Sequence, residues 1–471
     1  MDKCSIKEIA EWAGAEIIFP ENPSDPADNS EDLKACGVSI DTRTLVKGEI
    51  YMPIIGESHD GHKFIGQAFS KGACASFTDF DHPIEFSDRI YLRVQDCFQA
   101  FRKIAKNYRN TLNCKIIGVT GSNGKTTSKD VLYSVLSESY KTGKTFGNLN
   151  NQIGLPRTIL DLNRDTEMAI VEMGMSALGE IEQLADIARP DIAVITNVGE
   201  AHLQELKSRE NIAKAKLEII SRMDANGVLI YNRDSEYLAN LVDERLAEGL
   251  IAPQLISFGS HPDSDYRLEL IKSNAGGSVF KVNGREWSVN LLGSYQMYNA
   301  APAIIVGQLL GMDEETIGRG LHVTGLSHMR SELIHAKGFD ILVDCYNSSP
   351  QSLREALSTA GLLNGYRRKI AILGDMLELG DNEKNMHFKM GEEIDPNVFS
   401  DILFYGPLSK YMMQGAATHF SSNHLFWFES KNDLVDKAKY LIKPSSLVLI
   451  KGSRSMRLEE VAESIFPITS K

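Results

Sequence analysis

Residues 118–127 read GVTGSNGKTT. An apolar run, residues 116–119, leads into this stretch, and residues 126–140 lead out of it with Val131, Leu132, Val135 and Leu136 at helical spacing. The pattern predicts a strand, a glycine-rich turn and a helix N-terminus. A helix start offers free backbone N–H groups and partial positive charge, which suits a polyphosphate. Gly121 and Gly124 let the backbone approach the oxygens closely. Lys125 can reach terminal phosphates, and the Thr126 hydroxyl can ligate Mg2+. The stretch departs from G-x-x-x-x-G-K-[ST], because Val119 stands where that pattern has its first glycine. The variant here is T-G-x-x-G-K-T-T, and its bland alternative is a chance glycine turn.

Composition limits what can surround that turn. A chain of 471 residues has room for roughly three domains. A composition 42% hydrophobic and 24% charged is that of a water-soluble globular protein. No apolar run approaches the ~20 residues that span a bilayer. The cysteines, at positions 4, 36, 74, 97, 114 and 345, include no C-x-x-C pair, so neither a zinc ribbon nor a disulfide framework is indicated. Reduced thiols in the cytoplasm are the simplest account, and the first residues show no basic-then-apolar leader. A formal net charge of −13 without a Lys/Arg-rich block argues against a generic nucleic-acid binder. It also requires cations to be gathered locally if the ligands are anionic.

Upstream of the turn, residues 4–19 carry Ile6, Ile9, Ala10, Ala13 and Ile17 at helical spacing and predict one amphipathic helix. Residues 21–31, rich in Asn, Pro, Asp and Ser, predict a loop. Strand-like pieces at 37–45 and 47–55, followed by a turn at 56–62, place Asp41, Arg43, Asp60 and His62 beside strand ends. Solvated turn residues are the alternative there. Downstream, residues 147–156, GNLNNQIGLP, read as a polar turn. Residues 168–174 predict a buried strand with Glu172 at its end, and residues 191–199 predict another, followed by His202. Strand ends beside a phosphate loop form the ligand crevice of an open α/β sheet. Glu172 and His202 thus join Thr126 as candidate Mg2+ ligands, although Mg2+ prefers oxygen to imidazole. Lys214 and Lys216, two apart on a helix predicted over 211–220, point to different faces, and by spacing alone both read as solvated. Residues 226–289 are rich in strands, with hairpin turns at 274–277 and 283–284. Residues 293–310 predict a helix carrying Asn299, and from residue 326 strands and helices alternate again. The expectation is an α/β protein with mostly parallel, doubly wound sheets.

These pieces together resemble the Mur ligase family. The resemblance rests on residues 120–127, 147–156, VEMG at 171–174 and residues 197–203, and reaches almost the whole chain through DCYNSSP at 344–350, GDMLELG at 374–380 and LIKGSR at 449–454. The last three motifs resemble the branch of the family that adds a dipeptide. The resemblance implies an N-terminal domain for a UDP-muramyl peptide over residues 1–110, a central P-loop-type ATPase domain over 111–325, and a C-terminal Rossmann-like domain over 326–471 for the incoming amine. It implies ATP-dependent amide ligation of D-alanyl-D-alanine to UDP-N-acetylmuramoyl-tripeptide, through an acyl phosphate, for peptidoglycan.

Site residues follow from the same resemblance. ATP would meet Thr120, Gly121, Ser122, Asn123, Gly124, Lys125, Thr126 and Thr127, with Asn299, Arg330, Asp344, Tyr346 and Asn347 around the nucleoside and phosphates. The UDP substrate would meet Ser39, Asp41, Thr42, Arg43, Asp60, His62 and Asn151. Lys451, Ser453 and Arg454 are candidates for the dipeptide carboxylate, with a basic turn near a helix start as their alternative. Lys125, Lys216, His202 and Arg330 would serve catalysis. Lys216 matches a family lysine that CO2 converts to a carbamate, which would help Thr126, Glu172 and His202 hold two Mg2+ ions. Two departures stand out: GSYQ at 293–296 where the family commonly has Gly-x-His-Asn, and Met329 where glycine usually precedes the arginine. Partners other than the two substrates, nucleic acid and membrane insertion included, are not expected, and the chain is expected to be a monomer in the cytoplasm. Left open are another Mur-type or folylpolyglutamate-type ligase, a nucleotide-gated binding module that does no ligation, and a P-loop kinase.

Overall fold

The computed structural model describes residues 1–20, 30, 32–56, 59–249, 253–325, 327 and 329–466. Nearly all of the loop expected over 21–31 therefore lies outside the described residues. The first helix spans only Ile6–Ala13. Ser5 and Glu8 form a capping box at its start, and Gly14, left-handed at φ 69°, ends it. Ile17 accordingly sits in a strand, Glu16–Ile18, and not on the helix as the spacing predicted. Its position four residues after Ala13 satisfied the helical period, but the glycine cap outweighed it. This strand pairs antiparallel with Tyr91–Val94, and Ala75–Asp79, Ile50–Tyr51 and Val38–Ser39 extend a five-stranded sheet in parallel. The helix Cys97–Asn110 packs Phe101, Ile104 and Tyr108 into the same core as Ile6 and Ile9.

A nine-stranded sheet carries the phosphate turn. Strand Lys115–Thr120 lies between Ile192–Ile195 and Met168–Glu172, parallel to both, so its carboxyl end opens where the chain departs to either side. The following helix runs Lys125–Leu136, shorter than the predicted 126–140 at its C-terminus. Its Val131, Leu132, Val135 and Leu136 share a core with Ala300, Ala303 and Ile304 of helix Gln296–Leu309. Burial of those faces fixes where the turn points. At the far edge, Tyr266–Asn274, Gly277–Val282 and Arg285–Val289 form the two antiparallel hairpins expected from the turns at 274–277 and 283–284.

A third sheet has six strands in the order Glu332–His335, Phe339–Val343, Ser446–Lys451, Arg368–Gly374, Asp401–Tyr405, Leu425–Phe428. Only its first pair is antiparallel. Crossover helices such as Pro350–Leu362 connect the parallel strands. Mostly parallel α/β sheets are thus the architecture, as expected. Among the described residues no helix is long and apolar enough to cross a membrane.

Candidate active site

The turn is held in a shape that only its own residues permit. Gly121 has φ 151° and Gly124 φ 80°. A Cβ on Gly121 would overlap the Thr196 hydroxyl, and one on Gly124 would overlap the Asn299 carboxamide oxygen. The Thr196 hydroxyl donates to the Asn123 carbonyl at 2.5 Å, and the Asn123 N–H donates to Asn197 Oδ1 at 2.9 Å. The neighbouring strand end therefore braces the turn from below. No side chain caps the helix Lys125–Leu136 at Gly124, which leaves the start of that helix suited to an anion.

The turn walls a cavity of about 1300 Å3. Ser122, Asn123, Gly124, Lys125, Thr126 and Thr127 line it, as do Asn151, Glu172, His202 and Asn299. His62 reaches it from the first sheet, and Arg330, Asp344, Tyr346, Asn347 and Lys451 reach it from the third. Thr120 and Gly121 are buried but do not line the cavity. Ser39, Asp41, Thr42, Arg43 and Asp60 lie off its wall, and Arg43 pairs with Asp41 at 2.7 Å with its side chain 86% exposed. Ser453 and Arg454 also lie off it: the Ser453 hydroxyl accepts from the Leu377 N–H, and Arg454 pairs with Glu459.

Charge is arranged in a definite way inside the cavity. Lys125 Nζ donates to the Gly121 carbonyl at 2.7 Å; burial lowers its pKa, and the Glu172 charge opposes that shift. Glu172 is buried at its strand end, where Oε1 accepts from Asn150 Nδ2 at 2.7 Å and Oε2 is buried without a hydrogen-bond partner among the described residues. The Lys129 ammonium stands 4.0 Å from Oε2. An unsatisfied carboxylate oxygen costs about 1–3 kcal/mol or more and so favours a cation beside it. Arg330 Nη2 donates to the Thr126 hydroxyl at 3.2 Å, and its guanidinium lies 4.1 Å from the centre of the Tyr346 ring. Thr126 and Glu172 offer hard oxygen donors and fit Mg2+. His202, left-handed at φ 66°, instead places Nδ1 2.8 Å from Glu378 Oε2, and this contact holds the Glu378 carboxyl below the usual range.

One lysine, Lys216, differs from its reading by spacing. Lys216 is 2% exposed while Lys214 is exposed, so the expectation that both are solvated is corrected for Lys216. The helix Arg209–Leu217 buries Ile212, Ala213, Ala215 and Lys216, so two positions two apart need not share an environment. Burial pushes the Lys216 amine well below its ordinary pKa, and the Lys125 charge pushes the same way. Lys451 donates to Asp344 Oδ2 at 2.8 Å and to the carbonyls of Asp344 at 3.2 Å and Asn347 at 2.9 Å. All three of its N–H groups have acceptors, so in this arrangement it braces the 344–347 turn.

Comparison with known proteins places the chain. The model of the Mur ligase middle domain matches residues 119–307, and that of the Mur ligase glutamate ligase domain matches residues 329–454. The UDP-N-acetylmuramoyl-tripeptide–D-alanyl-D-alanine ligase of Bacillus subtilis is 38% identical over 99% of each chain. The chain belongs to the Mur ligase family. Among solved structures, MurF from Acinetobacter baumannii superposes on this Mur ligase with a TM-score of 0.87 at 26% identity over 99% of both chains. MurF ligase from Thermotoga maritima, in complex with ADP, gives 0.78 at 27% identity over 91% of this chain and 96% of that one.

Sequence reasoning passed over several residues of this Mur ligase that the cavity collects. Asn123 Nδ2 donates to Gln351 Oε1 at 3.2 Å, and the Ser349 hydroxyl donates to Asn123 Oδ1 at 3.3 Å, so the phosphate turn is tied to the start of helix Pro350–Leu362. Ser349 stands in the DCYNSSP motif, which was the available signal. Glu378 stands in GDMLELG, a motif read as a signature without a role for its glutamate. Glu355, one turn beyond Gln351, had no signal at all. It accepts from Gln351 Nε2 at 3.1 Å, and burial pushes its carboxyl up to about 7.

Proposed function

We propose that this Mur ligase works in the cytoplasm and uses ATP to join D-alanyl-D-alanine to UDP-N-acetylmuramoyl-tripeptide, the two substrates for which its Bacillus subtilis relative is named. The observation that carries the reading is a single cavity in which the phosphate turn, the Glu172 carboxylate and the Arg330 guanidinium meet. Residues 1–110 would hold the UDP-muramyl peptide, 111–325 the ATP and 326–471 the dipeptide.

A carboxylate forms no amide unaided, because oxide would have to leave. The tripeptide carboxylate attacks the γ-phosphoryl group of ATP, giving an acyl phosphate and ADP; the dipeptide amine then attacks the carbonyl, and phosphate departs. Lys125 and the N–H groups of the turn face the oxygens on which charge grows, and Arg330 adds a second cation from the opposite wall. Asn299 and Asp344, on facing walls, hold the nucleoside end, which leaves the chain's chief contribution as alignment. Mg2+ held by Thr126 and Glu172 would neutralise phosphate oxygens and lessen repulsion between the two anions. Burial shifts the Lys216 amine toward its neutral form, the form that attacks CO2: an N–C bond would form, a proton would leave to solvent, and the carbamate would present the anionic oxygens Mg2+ prefers.

The test is isotopic. With oxygen-18 in the terminal carboxylate of UDP-muramyl-tripeptide, one labelled oxygen should appear in the released phosphate when D-alanyl-D-alanine and Mg·ATP are present. Unlabelled phosphate, with the pentapeptide product formed, would remove the acyl phosphate from the scheme. Failure of D-alanyl-D-alanine to drive phosphate release, while D-glutamate, a diamino acid or L-glutamate does so, would reassign the amine.

A further inference from the structure

A second convergence of donor atoms lies on the cavity wall contributed by the first sheet. His62 follows Asp60, which caps the short helix Gly61–Phe64; Asp79 ends the strand Ala75–Asp79; Cys97 opens the helix Cys97–Asn110. His62, Asp79 and Cys97 are all buried, and all line the cavity. His62 Nε2 is 3.6 Å from Asp79 Oδ2 and 3.9 Å from Cys97 Sγ, and one donor atom from each of the three residues lies within 4.8 Å of the others. Around Zn2+ with ligands at roughly 2.0–2.3 Å, the edges of the coordination tetrahedron are about 3.3–3.8 Å.

The surroundings aim these atoms. Asp60 Oδ1 lies 3.0 Å from His62 Nδ1 and accepts its proton in a hydrogen bond, which turns the Nε2 lone pair toward Asp79 and Cys97. Asp79 Oδ1 meets His82 Nδ1 at 2.7 Å and accepts from the N–H groups of Asp81 and His82, leaving Oδ2 for the centre. The His82 ring stacks on His62 with centroids 3.6 Å apart, and its Nε2 reaches Asp60 Oδ2 at 3.3 Å. A carboxylate behind a histidine, and a histidine behind a carboxylate, are the outer partners that fix metal ligands.

The geometry points to a transition-metal site in which His62 Nε2, Asp79 Oδ2 and Cys97 Sγ hold Zn2+ and the fourth position opens to the cavity. Nitrogen, oxygen and sulfur together select Zn2+ over Mg2+, which takes oxygen alone. As the sulfur–metal bond forms, the Cys97 thiol proton leaves to solvent. Water or an anionic oxygen of a molecule in the cavity completes the shell. The site uses none of the phosphate-turn residues and stands whether or not the ligase reading does.

Co2+ reports on such a site directly. Full-length protein, reduced and stripped with a chelator, is titrated with Co2+ in excess Mg2+, which saturates oxygen-only sites. One Co2+ per chain is expected, with tetrahedral visible absorption and a thiolate-to-cobalt band in the near ultraviolet, both displaced by Zn2+. Cys97→Ser should abolish the thiolate band and weaken binding tenfold or more, whereas Cys114→Ser should leave both unchanged. His82→Ala should weaken binding about 10–100-fold while keeping the band. On the unaltered chain, Zn2+ should slow iodoacetamide labelling of Cys97, read by mass spectrometry, and leave Cys36 as it was. Absence of the thiolate band, its survival in Cys97→Ser, or equal labelling of Cys97 with and without Zn2+ overturns the proposal.

Discussion

Lys125 and Glu172 both line the cavity at the phosphate turn, and the Glu172 charge opposes the shift that burial imposes on the Lys125 ammonium. Lys125→Ala removes a cation from the place where phosphoryl charge develops. Phosphate release should fall by at least ~10²-fold while thermal unfolding stays that of a folded protein. Lys216→Ala should also fold and lose turnover, and short carboxylic acids, which supply the missing carboxylate oxygens, should restore part of the rate. No rescue in a folded variant would remove the carbamate. Glu355 makes a prediction of a different kind. Its carboxyl stands at about 7 in the fold against 4.5 for the free group. Between those values the folded chain binds more protons than the unfolded one, so this group's contribution to stability is present below the lower value and is lost as pH rises through the upper. Glu355→Gln should therefore gain stability over the parent as pH rises from about 5 to 8, by up to about 3 kcal/mol, measured by denaturant unfolding at each pH. A difference that is flat in pH would mean that the carboxyl is not buried. The residues of the turn were legible in sequence because their chemistry is contiguous. The states of Lys216 and Glu355 were not, because both are set by what packs against them from distant parts of the chain.

Elements were legible in kind and misread at their ends. Four apolar positions located the phosphate helix, but nothing in its spacing marked Leu136 as its last residue, because residues 137–140 continue in turns whose hydrogen bonds resemble helix. Gly14 marked a stop that the periodicity of Ile17 concealed. Both hairpins were read correctly, the second because Asn-Gly at 283–284 dictates a backbone conformation locally. The same local logic makes Gly124 a test. Gly124→Ala places a methyl group on the Asn299 oxygen at a φ that alanine resists, so nucleotide affinity should fall at least tenfold, measured by calorimetry with Mg·ADP. The core behind the turn responds differently. Leu132→Ala empties space among Val131, Val135 and Ile304 and should cost about 2–5 kcal/mol of stability, and the folded fraction should keep its nucleotide affinity.

At the scale of the molecule, three sheets turn their edges to one cavity, and the contacts that cross it are polar. Asn123 meets Gln351 and Ser349, Arg330 meets Thr126, and His202 meets Glu378. The last pair is reinforced by the Gln204 N–H donating to the Glu378 carbonyl at 3.2 Å, so two loops from different sheets dock along a short line. If that docking aligns the substrates, His202 and Glu378 must act as a unit. His202→Ala and Glu378→Ala should each lower kcat/KM for phosphate release, and the double variant should lose less than the product of the two effects. Because the Glu378 side chain is 59% exposed, the coupling should be modest, about 0.5–1 kcal/mol, or roughly two- to fivefold. The direction with pH follows from the contact itself. Since His202 holds the Glu378 carboxyl below the usual range, its charge, and the docking that depends on it, persists above the ordinary carboxylate value and fades only as pH falls through the depressed one. Strictly multiplicative single effects would show that the two loops merely touch, and that alignment of the third sheet with the phosphate turn rests on Arg330 and Asn123 instead.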